Sequence, residues 1–478
     1  MRILLVKPKP RLETIISLKP LIFMEPLELG YIAAVVPPGH EVKVLDLRLA
    51  EKNQFELFSE KINSFKPDII GFSAYTHEAS IVKQLAALAK KNLENTFVVT
   101  GGHHATILPY DYNIPCIDAI VRGEGTRAFG ELVGRISEGW EPYGIPDVLF
   151  TGDKFEIDKV AILPEYPDMA AIPVPRRDLW NYENYSCIWP AEKHTELKTI
   201  FPSVALLRTS YGCPMDCSFC VVPRLSGRRH LTRDVNKITD EISSLKPDNV
   251  YFCDDETFSN SEHIVKLAEA IKSRRINKRY FAWARSTTVL RKPDIFKLWR
   301  DIGLDTVFLG FEAITDATLK SVSKHSTVAD NENAHRLMRE SGIAVVAGFM
   351  VMPDFSEQDF DAMENYIKNM PSAQFNITVC TPSPGSSAWE KEKDSFVCNP
   401  FDLHDCMHPL TKTRLPLKLF YERFARLVSV GAAKNPLNSP GNKIPLADLG
   451  RVLSAGKKYA ESLRNAYNDF PENPENLC

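Results

Sequence analysis

Three cysteines fall within eight residues of Tyr211-Gly-Cys-Pro-Met-Asp-Cys-Ser-Phe-Cys220. Cys213, Cys217 and Cys220 stand in the spacing C-x3-C-x2-C. Thiolates gathered this way suit a soft metal centre. Three of them can hold three irons of a [4Fe–4S] cluster and leave the fourth iron open to another ligand. Tetrahedral zinc would want a fourth ligand, usually from a second paired motif, and the chain has no second C-x2-C. The other cysteines (Cys116, Cys187, Cys253, Cys380, Cys398, Cys406 and Cys478) are scattered. So dense a group in a large chain is not a secreted disulfide framework either.

The cysteines follow Val204-Ala-Leu-Leu-Arg-Thr-Ser210, an apolar run that predicts a strand. It opens an alternating series over residues 201–390, with further strands expected at Val250–Cys253, Phe281–Arg285, Thr306–Gly310, Val345–Met350 and Asn376–Thr381. Helices are expected at Val235–Leu245, His263–Ser273, Pro293–Ile302, Asn331–Ser341 and Glu357–Asn369. Six βα units are fewer than the eight that close a barrel, so the pattern predicts an open, partial (β/α)6 barrel. Polar residues recur at the strand ends, where such barrels carry their chemistry. They are the three cysteines, then Asp254-Asp255-Glu256, Arg285, Glu312, the Gly348–Pro353 segment and Thr381–Gly385. Taken singly, the acidic run could be a solvated, helix-capping loop.

Residues 1–145 form an earlier series: strands Ile3–Val6, Val42–Leu47, Ile69–Ser73, Phe97–Thr100 and Ala119–Val121, with amphipathic helices between them. This predicts a doubly wound, Rossmann-like parallel sheet, whose ligands sit beyond the strand carboxyl ends. Two glycine-bearing loops lie there, Gly101-Gly102-His103-His104-Ala105-Thr106 and Arg122-Gly123-Glu124-Gly125. Prolines gather over 146–200, expected as a connector, and residues 391–478 are expected to be a small helical region.

With 478 residues the chain is long enough for two or three domains. Its 44% hydrophobic and 25% charged content is that of a globular protein, and a net charge of −3 makes no general case for nucleic acid or an anionic membrane. The short apolar stretch at Met1–Val6 and the lack of a run of about 20 apolar residues point to a cytoplasmic protein.

The order of motifs over about residues 1–390 closely resembles the cobalamin-binding subgroup of radical S-adenosylmethionine (SAM) enzymes. The resemblance implies that Cys213, Cys217 and Cys220 bind the [4Fe–4S] cluster and that SAM chelates the open iron. It implies that Asp254, Asp255 and Glu256 face the methionyl amine of SAM, with Arg285 and Glu312 near its carboxylate and ribose. Carboxylates suit an ammonium group, and guanidinium suits a carboxylate. On the first domain it assigns cobalamin to Gly101, Gly102, His103, His104, Thr106, Gly123, Glu124 and Gly125. One departure is plain: the Asp-x-His-x-x-Gly signature of wider cobalamin proteins is absent, the chain after the first strand reading Lys7-Pro-Lys-Pro-Arg-Leu12. His77, His103 and His104 are substitutes for its histidine, against a bland role in surface or core. A degenerate domain that binds no cobalamin is the other consequence of that absence.

The activity implied is methylation of an unactivated carbon, using a 5′-deoxyadenosyl radical and methylcobalamin, with a flavodoxin- or ferredoxin-type electron donor. The stretch Phe23–Tyr31 with Pro37–Val42 resembles hopanoid methylases, especially the C-3 type, and implies a lipid-like substrate with peripheral membrane contact. Trp389, Phe396, Phe401, Met407, Leu417, Phe420, Tyr421 and Phe424 would either line a pocket for it or form ordinary core. A radical cyclase or oxidase acting on a tetrapyrrole is the alternative enzyme, and a cobalamin or metal sensor the alternative outside enzymes. Relatives that modify tRNA carry three more N-terminal cysteines, whereas this N-terminal domain has Cys116 alone. Cys398, Cys406, His404 and His408 form a second candidate metal set, weighed against free thiols and loop histidines.

Overall fold

A computed structural model describes residues 1–156, 158, 164–190, 199–371, 373–396, 401–434 and 445–470. Two compact units make up the chain, one of Met1–Arg11 with Pro26–Asn181 and one of Leu12–Glu25 with Tyr182–Cys478.

The first unit is built on six strands: β1 (Arg2–Lys7), β2 (Glu41–Asp46), β3 (Ile69–Ser73), β4 (Phe97–Gly101), β5 (Ala119–Val121) and β6 (Val148–Phe150). Their order across the sheet is β2-β1-β3-β4-β5-β6. Parallel strands covered by helices on both faces must be apolar throughout, and Ile3-Leu4-Leu5-Val6 is buried along its whole length. Helices Leu27–Ala34, Gln54–Phe65, Ala79–Asn92 and Thr126–Ser137 supply those faces. In Ala79–Asn92 the buried positions Val82, Leu85, Ala86 and Ala89 recur at helical spacing, and Lys90 and Lys91 close the last turn. Strand β6 is antiparallel to β5, with Ile120 opposite Leu149, and lies in the stretch expected as a connector. Three residues are too few for a period to show in the sequence. The strand order reverses between β1 and β3, which places the ligand crevice of such a sheet at the ends of those strands.

The second unit carries β7 (Val204–Leu207), β8 (Asn249–Phe252), β9 (Arg279–Ala284), β10 (Leu304–Glu312), β11 (Ala344–Val351) and β12 (Gln374–Val379). Each strand pairs in parallel with its neighbour in the chain, giving the open half-barrel expected. Strand alternation separates two environments. The outer face, including Leu207, Phe252, Tyr280, Leu309 and Phe349, joins the helix-packed core. The inner face, with Val204, Tyr251, Phe281, Phe308 and Val346, forms a separate cluster floored by Trp189. Outer helices are ended by their own side chains. Thr327 with Asp330 and Ser356 with Asp359 form capping boxes, each worth about 1 kcal/mol.

Helices Leu417–Ala433 and Leu446–Asn465 complete this unit. Phe420, Tyr421 and Phe424 are fully buried there, and with Met407 and Leu417 they belong to the main core. The strap Leu12–Glu25 is held by Thr14 Oγ1 donating to Asp405 at 2.8 Å and by a 2.9 Å hydroxyl pair between Ser17 and Ser462. At its far end Glu25 Oε1 accepts the Leu206 amide at 2.8 Å, capping the edge strand. Among the described residues, no helix is long and apolar enough to cross a membrane.

Candidate active site

Strand β7 leads into a short ribbon, Ser210–Tyr211 paired with Leu231–Thr232, and then into the cysteine loop. Asp254 shapes the entry. Its Oδ1 accepts the amides of Thr209 and Ser210 at 2.7 and 2.9 Å, and its Oδ2 accepts the Thr209 hydroxyl at 2.6 Å. Burial raises its carboxyl above the ordinary range against the pull of those donors. Asp255 Oδ2 takes the Gly212 amide at 2.7 Å, one residue before Cys213. Gly212 has φ +91°, and a Cβ there would collide with the Arg229 carbonyl and Ser226, so only glycine makes this turn.

The loop itself is gripped from two sides. The Ser218 amide donates to Val322 O at 3.0 Å, while Ser218 O accepts the Ala388 amide at 2.8 Å. Cys217 is buried, and Arg285 Nη1 donates to its sulfur at 3.5 Å. Burial raises the thiol of Cys213 and pushes that of Cys220 up to about 12, so taking up a metal centre must release protons. Among the described residues, no three His, Cys, Asp or Glu side chains converge to hold a single metal ion; in a [4Fe–4S] cluster each thiolate would bind a different iron.

Around the loop, Arg285 Nη2 donates to the Lys324 carbonyl, and Lys324 Nζ reaches Glu312 Oε1 at 2.6 Å. Glu312 sits at a register shift between β10 and β11 with φ +66°. That irregularity turns its side chain toward Lys324, as bulges beside active sites do. Glu256 is nearly fully buried, and its carboxyl is pushed up to about 7, burial outweighing Thr288, Lys292 and Arg285. Among the described residues, Glu256 Oε1, Arg285 Nε and Ser210 Oγ are buried without a hydrogen-bond partner. Buried polar atoms ordinarily have one, so this rim suits a ligand carrying both an ammonium and a carboxylate, as SAM does.

The expected residues therefore divide. Asp254 and Asp255 serve the backbone of the cysteine loop, Glu312 pairs with Lys324, and Glu256 and Arg285 keep polar atoms in reserve. Lys324 is a rim residue that the strand pattern does not reveal, because it reaches the site from the loop after a short helix, Asp316–Ser321. It lies between Ser323 and His325, both in left-handed conformations.

On the first unit, the two glycine loops meet. Thr106 Oγ1 donates to Gly102 O at 2.8 Å and accepts the Gly123 amide at 3.0 Å. Gly102 has φ +93°, and its Cβ would lie 2.9 Å from both N and O of Ala74, while at Gly123, with φ +74°, it would meet Pro164 at 2.8 Å. Gly101 ends β4, and Gly125 precedes helix Thr126–Ser137, whose first amide Glu124 accepts at 3.0 Å. His104 is fully buried and lies 3.0 Å from Asp111. Burial, His104 and His77 hold His103 down to about 4, leaving a neutral imidazole that can accept a bond or bind a metal. Tyr75, 56% exposed, stacks on His77 at 5.9 Å. Lys7, at the end of β1, is buried in an ion pair with Glu78 at 3.0 Å. Backbone loops with an uncharged imidazole and an exposed aromatic ring at the carboxyl edge suit a large neutral cofactor such as cobalamin.

Among the described residues, the second metal candidate does not assemble. Cys398 lies outside the described residues, and both ring nitrogens of His408 are taken by Asp405 (2.9 Å) and Asp469 (3.3 Å).

Residues 14–133 match the B12 binding domain family, and residues 207–367 match the Radical SAM superfamily. Over 436 residues the chain is 28% identical to the hopanoid C-3 methylase of Methylococcus capsulatus, covering 90% of this chain and 80% of that protein. It is 30% identical to an uncharacterized methyltransferase of Pyrococcus horikoshii, covering 76% of this chain and 78% of the other. An anaerobic magnesium-protoporphyrin IX monomethyl ester cyclase of Rubrivivax gelatinosus is 27% identical over 74% of this chain and 63% of its own. In fold the chain is similar to the radical SAM methyltransferase TsrM of Kitasatospora setae, with a TM-score of 0.65 at 17% identity, covering 98% of this chain and 99% of that one. Two domain matches in tandem, with a relative of that identity and coverage, settle the kinship: the chain belongs to the cobalamin-dependent radical SAM methyltransferases, enzymes that work with a [4Fe–4S] cluster, SAM and cobalamin.

Proposed function

We propose that the protein methylates an unactivated carbon of a lipid-like, hopanoid-type substrate, with Cys213, Cys217 and Cys220 as the cluster ligands. The observation that carries this reading is the pinned three-cysteine loop at the carboxyl ends of the half-barrel, bordered by the unsatisfied buried atoms of Glu256 and Arg285. Glu256 would take the ammonium of SAM and Arg285 its carboxylate, while Asp254 and Asp255 hold the loop in shape. On the first unit, the joined loops around Gly101, Gly102, Thr106, Gly123 and Gly125 would cradle cobalamin, with His103 and Tyr75 at the edge. When bound, the cluster supplies the electron that cleaves SAM, and cobalamin supplies the methyl carrier.

Two observations support an apolar, ring-bearing substrate. One of the long matches is to a protein named for hopanoid methylation. The inner barrel face also presents an aromatic wall: Tyr251 lies 4.3 Å from Phe281 and Trp283 lies 4.1 Å from Phe308, ring centre to ring centre. Gly348 makes room for it, since a Cβ there would meet the Phe308 ring at 2.5 Å. Such a wall favours flat apolar ligands over charged ones. A lipid substrate would bring the protein to a membrane surface without spanning it, and a flavodoxin- or ferredoxin-type donor would reduce the cluster.

The test is anaerobic reconstitution with iron, sulfide and cobalamin, followed by SAM, reductant and a desmethyl hopanoid in detergent. The expected products are 5′-deoxyadenosine, methionine, S-adenosylhomocysteine and a hopanoid heavier by one methylene. Substrate conversion without S-adenosylhomocysteine would favour a cyclase or oxidase, and absence of SAM cleavage a sensor.

A further inference from the structure

We infer that Arg285 sets the reduction potential of the cluster by hydrogen bonding to the Cys217 thiolate, a role separate from any contact with SAM. The inference rests on the reading of Cys217 as a cluster ligand. Arg285 Nη1 lies 3.5 Å from Cys217 Sγ, a donor–acceptor contact to sulfur. The guanidinium is not a wandering surface group. Arg285 is buried, its Nη2 is anchored on the Lys324 carbonyl, and its backbone leads directly into helix Ser286–Arg291. The anchor is itself fixed, because Lys324 Nζ is bound to Glu312 at 2.6 Å and the Lys324 amide donates to Leu319 O at 3.0 Å. On the cysteine side, Ser218, the next residue, is tied to Val322 of the same loop. Thiolate and guanidinium are thus both fastened to residues 322–324, and their separation is set by that loop.

A guanidinium donor on a ligating sulfur withdraws electron density, and its positive charge favours the cluster state that carries one more electron. Hydrogen bonds to the sulfurs, net charge and burial are the protein's levers on the potential of such clusters. Arg285 brings all three to one ligand. Its unpartnered Nε remains available for an anionic group of SAM, so one side chain can serve both without exchanging partners. Arg285 acts here through Cys217 as a positioning and tuning residue. The electron that reduces the cluster comes from the external donor.

The test is a redox titration of the reconstituted full-length protein with dithionite, followed by electron paramagnetic resonance and carried out without SAM. Arg285→Gln should shift the midpoint to more negative potential at unchanged iron and sulfide content. Arg285→Lys, which keeps the charge but not the planar fork, should shift it less in the same direction. If Arg285→Gln fails to retain a cluster, the Lys variant decides alone. Unchanged potentials in the variants that hold a cluster, or a shift seen only after SAM is added, overturn the inference. Cys217→Ala is the control for the underlying reading: retention of a complete cluster there would remove the assignment of Cys217 itself.

Discussion

Thr106 Oγ1 accepts the backbone amide of Gly123 at 3.0 Å, joining two loops in which Gly102, Gly123 and Gly125 have positive φ. A single hydroxyl therefore sets the shape of the surface expected to receive cobalamin. Thr106→Val keeps the volume but strands the Gly123 amide, a loss of about 1–3 kcal/mol. Cobalamin affinity should fall by roughly tenfold, measured by absorbance titration, whereas Thr106→Ser should bind as the parent does.

Asp254 satisfies three donors at the entrance to the cysteine loop. Asp254→Ala leaves two amides and a hydroxyl without that acceptor, and should destabilise the protein by about 2–4 kcal/mol in denaturant unfolding. Iron bound after reconstitution should fall with it. Full stability and full iron content in this variant would show that the loop holds its shape unaided.

Glu256, unlike its two acidic neighbours, keeps a buried oxygen without a partner. Glu256→Gln preserves shape and removes the charge available to an ammonium group. SAM binding should weaken by about tenfold to a hundredfold, the cost of one charge-assisted bond, while iron content stays at the parent level. Equilibrium dialysis with labelled SAM reads the first quantity and iron analysis the second.

His408 gives stability a pH dependence. Burial disfavours its charge, but Asp405 and then Asp469 outweigh burial and hold the imidazolium up to about 9, against an ordinary value of 6.5. A raised folded-state value means that the stabilisation is complete below pH 6.5 and is lost as pH rises through 9. Urea unfolding should show the parent losing on the order of 2–3 kcal/mol across that window. His408→Gln should be less stable at the acidic end and nearly flat.

Much of this was legible in the sequence, for reasons that differ between elements. Strands such as Ile69–Ser73 and Ala344–Val351 are continuous apolar runs because both of their faces are covered, so length and spacing reveal them. The cysteine loop stands out in the sequence because C-x3-C-x2-C is a spacing that metal ligation would impose. Strand β6 escaped because three residues carry no period. Lys324 escaped for another reason. Its position depends on left-handed residues on either side and on a bulge at Glu312, tertiary accommodations with no local composition of their own. Within Asp254-Asp255-Glu256 the sequence offers three equivalent acids, and only the backbone donors at Thr209, Ser210 and Gly212 tell them apart. The aromatic residues of the last helices read equally as pocket or packing, and burial places Phe420, Tyr421 and Phe424 in the core.

The strap Leu12–Glu25 has a consequence for how the protein is made. It leaves the ribosome ahead of all of the first unit but Met1–Arg11, yet its partners are Asp405, Ser462 and Leu206. The first unit can fold as soon as it emerges, in the usual order of synthesis. The second waits with an early segment unsatisfied until Leu446–Asn465 has been translated. A chain interrupted before that helix would leave Ser17 without Ser462 and the strap held by Asp405 and Leu206 alone among these three partners.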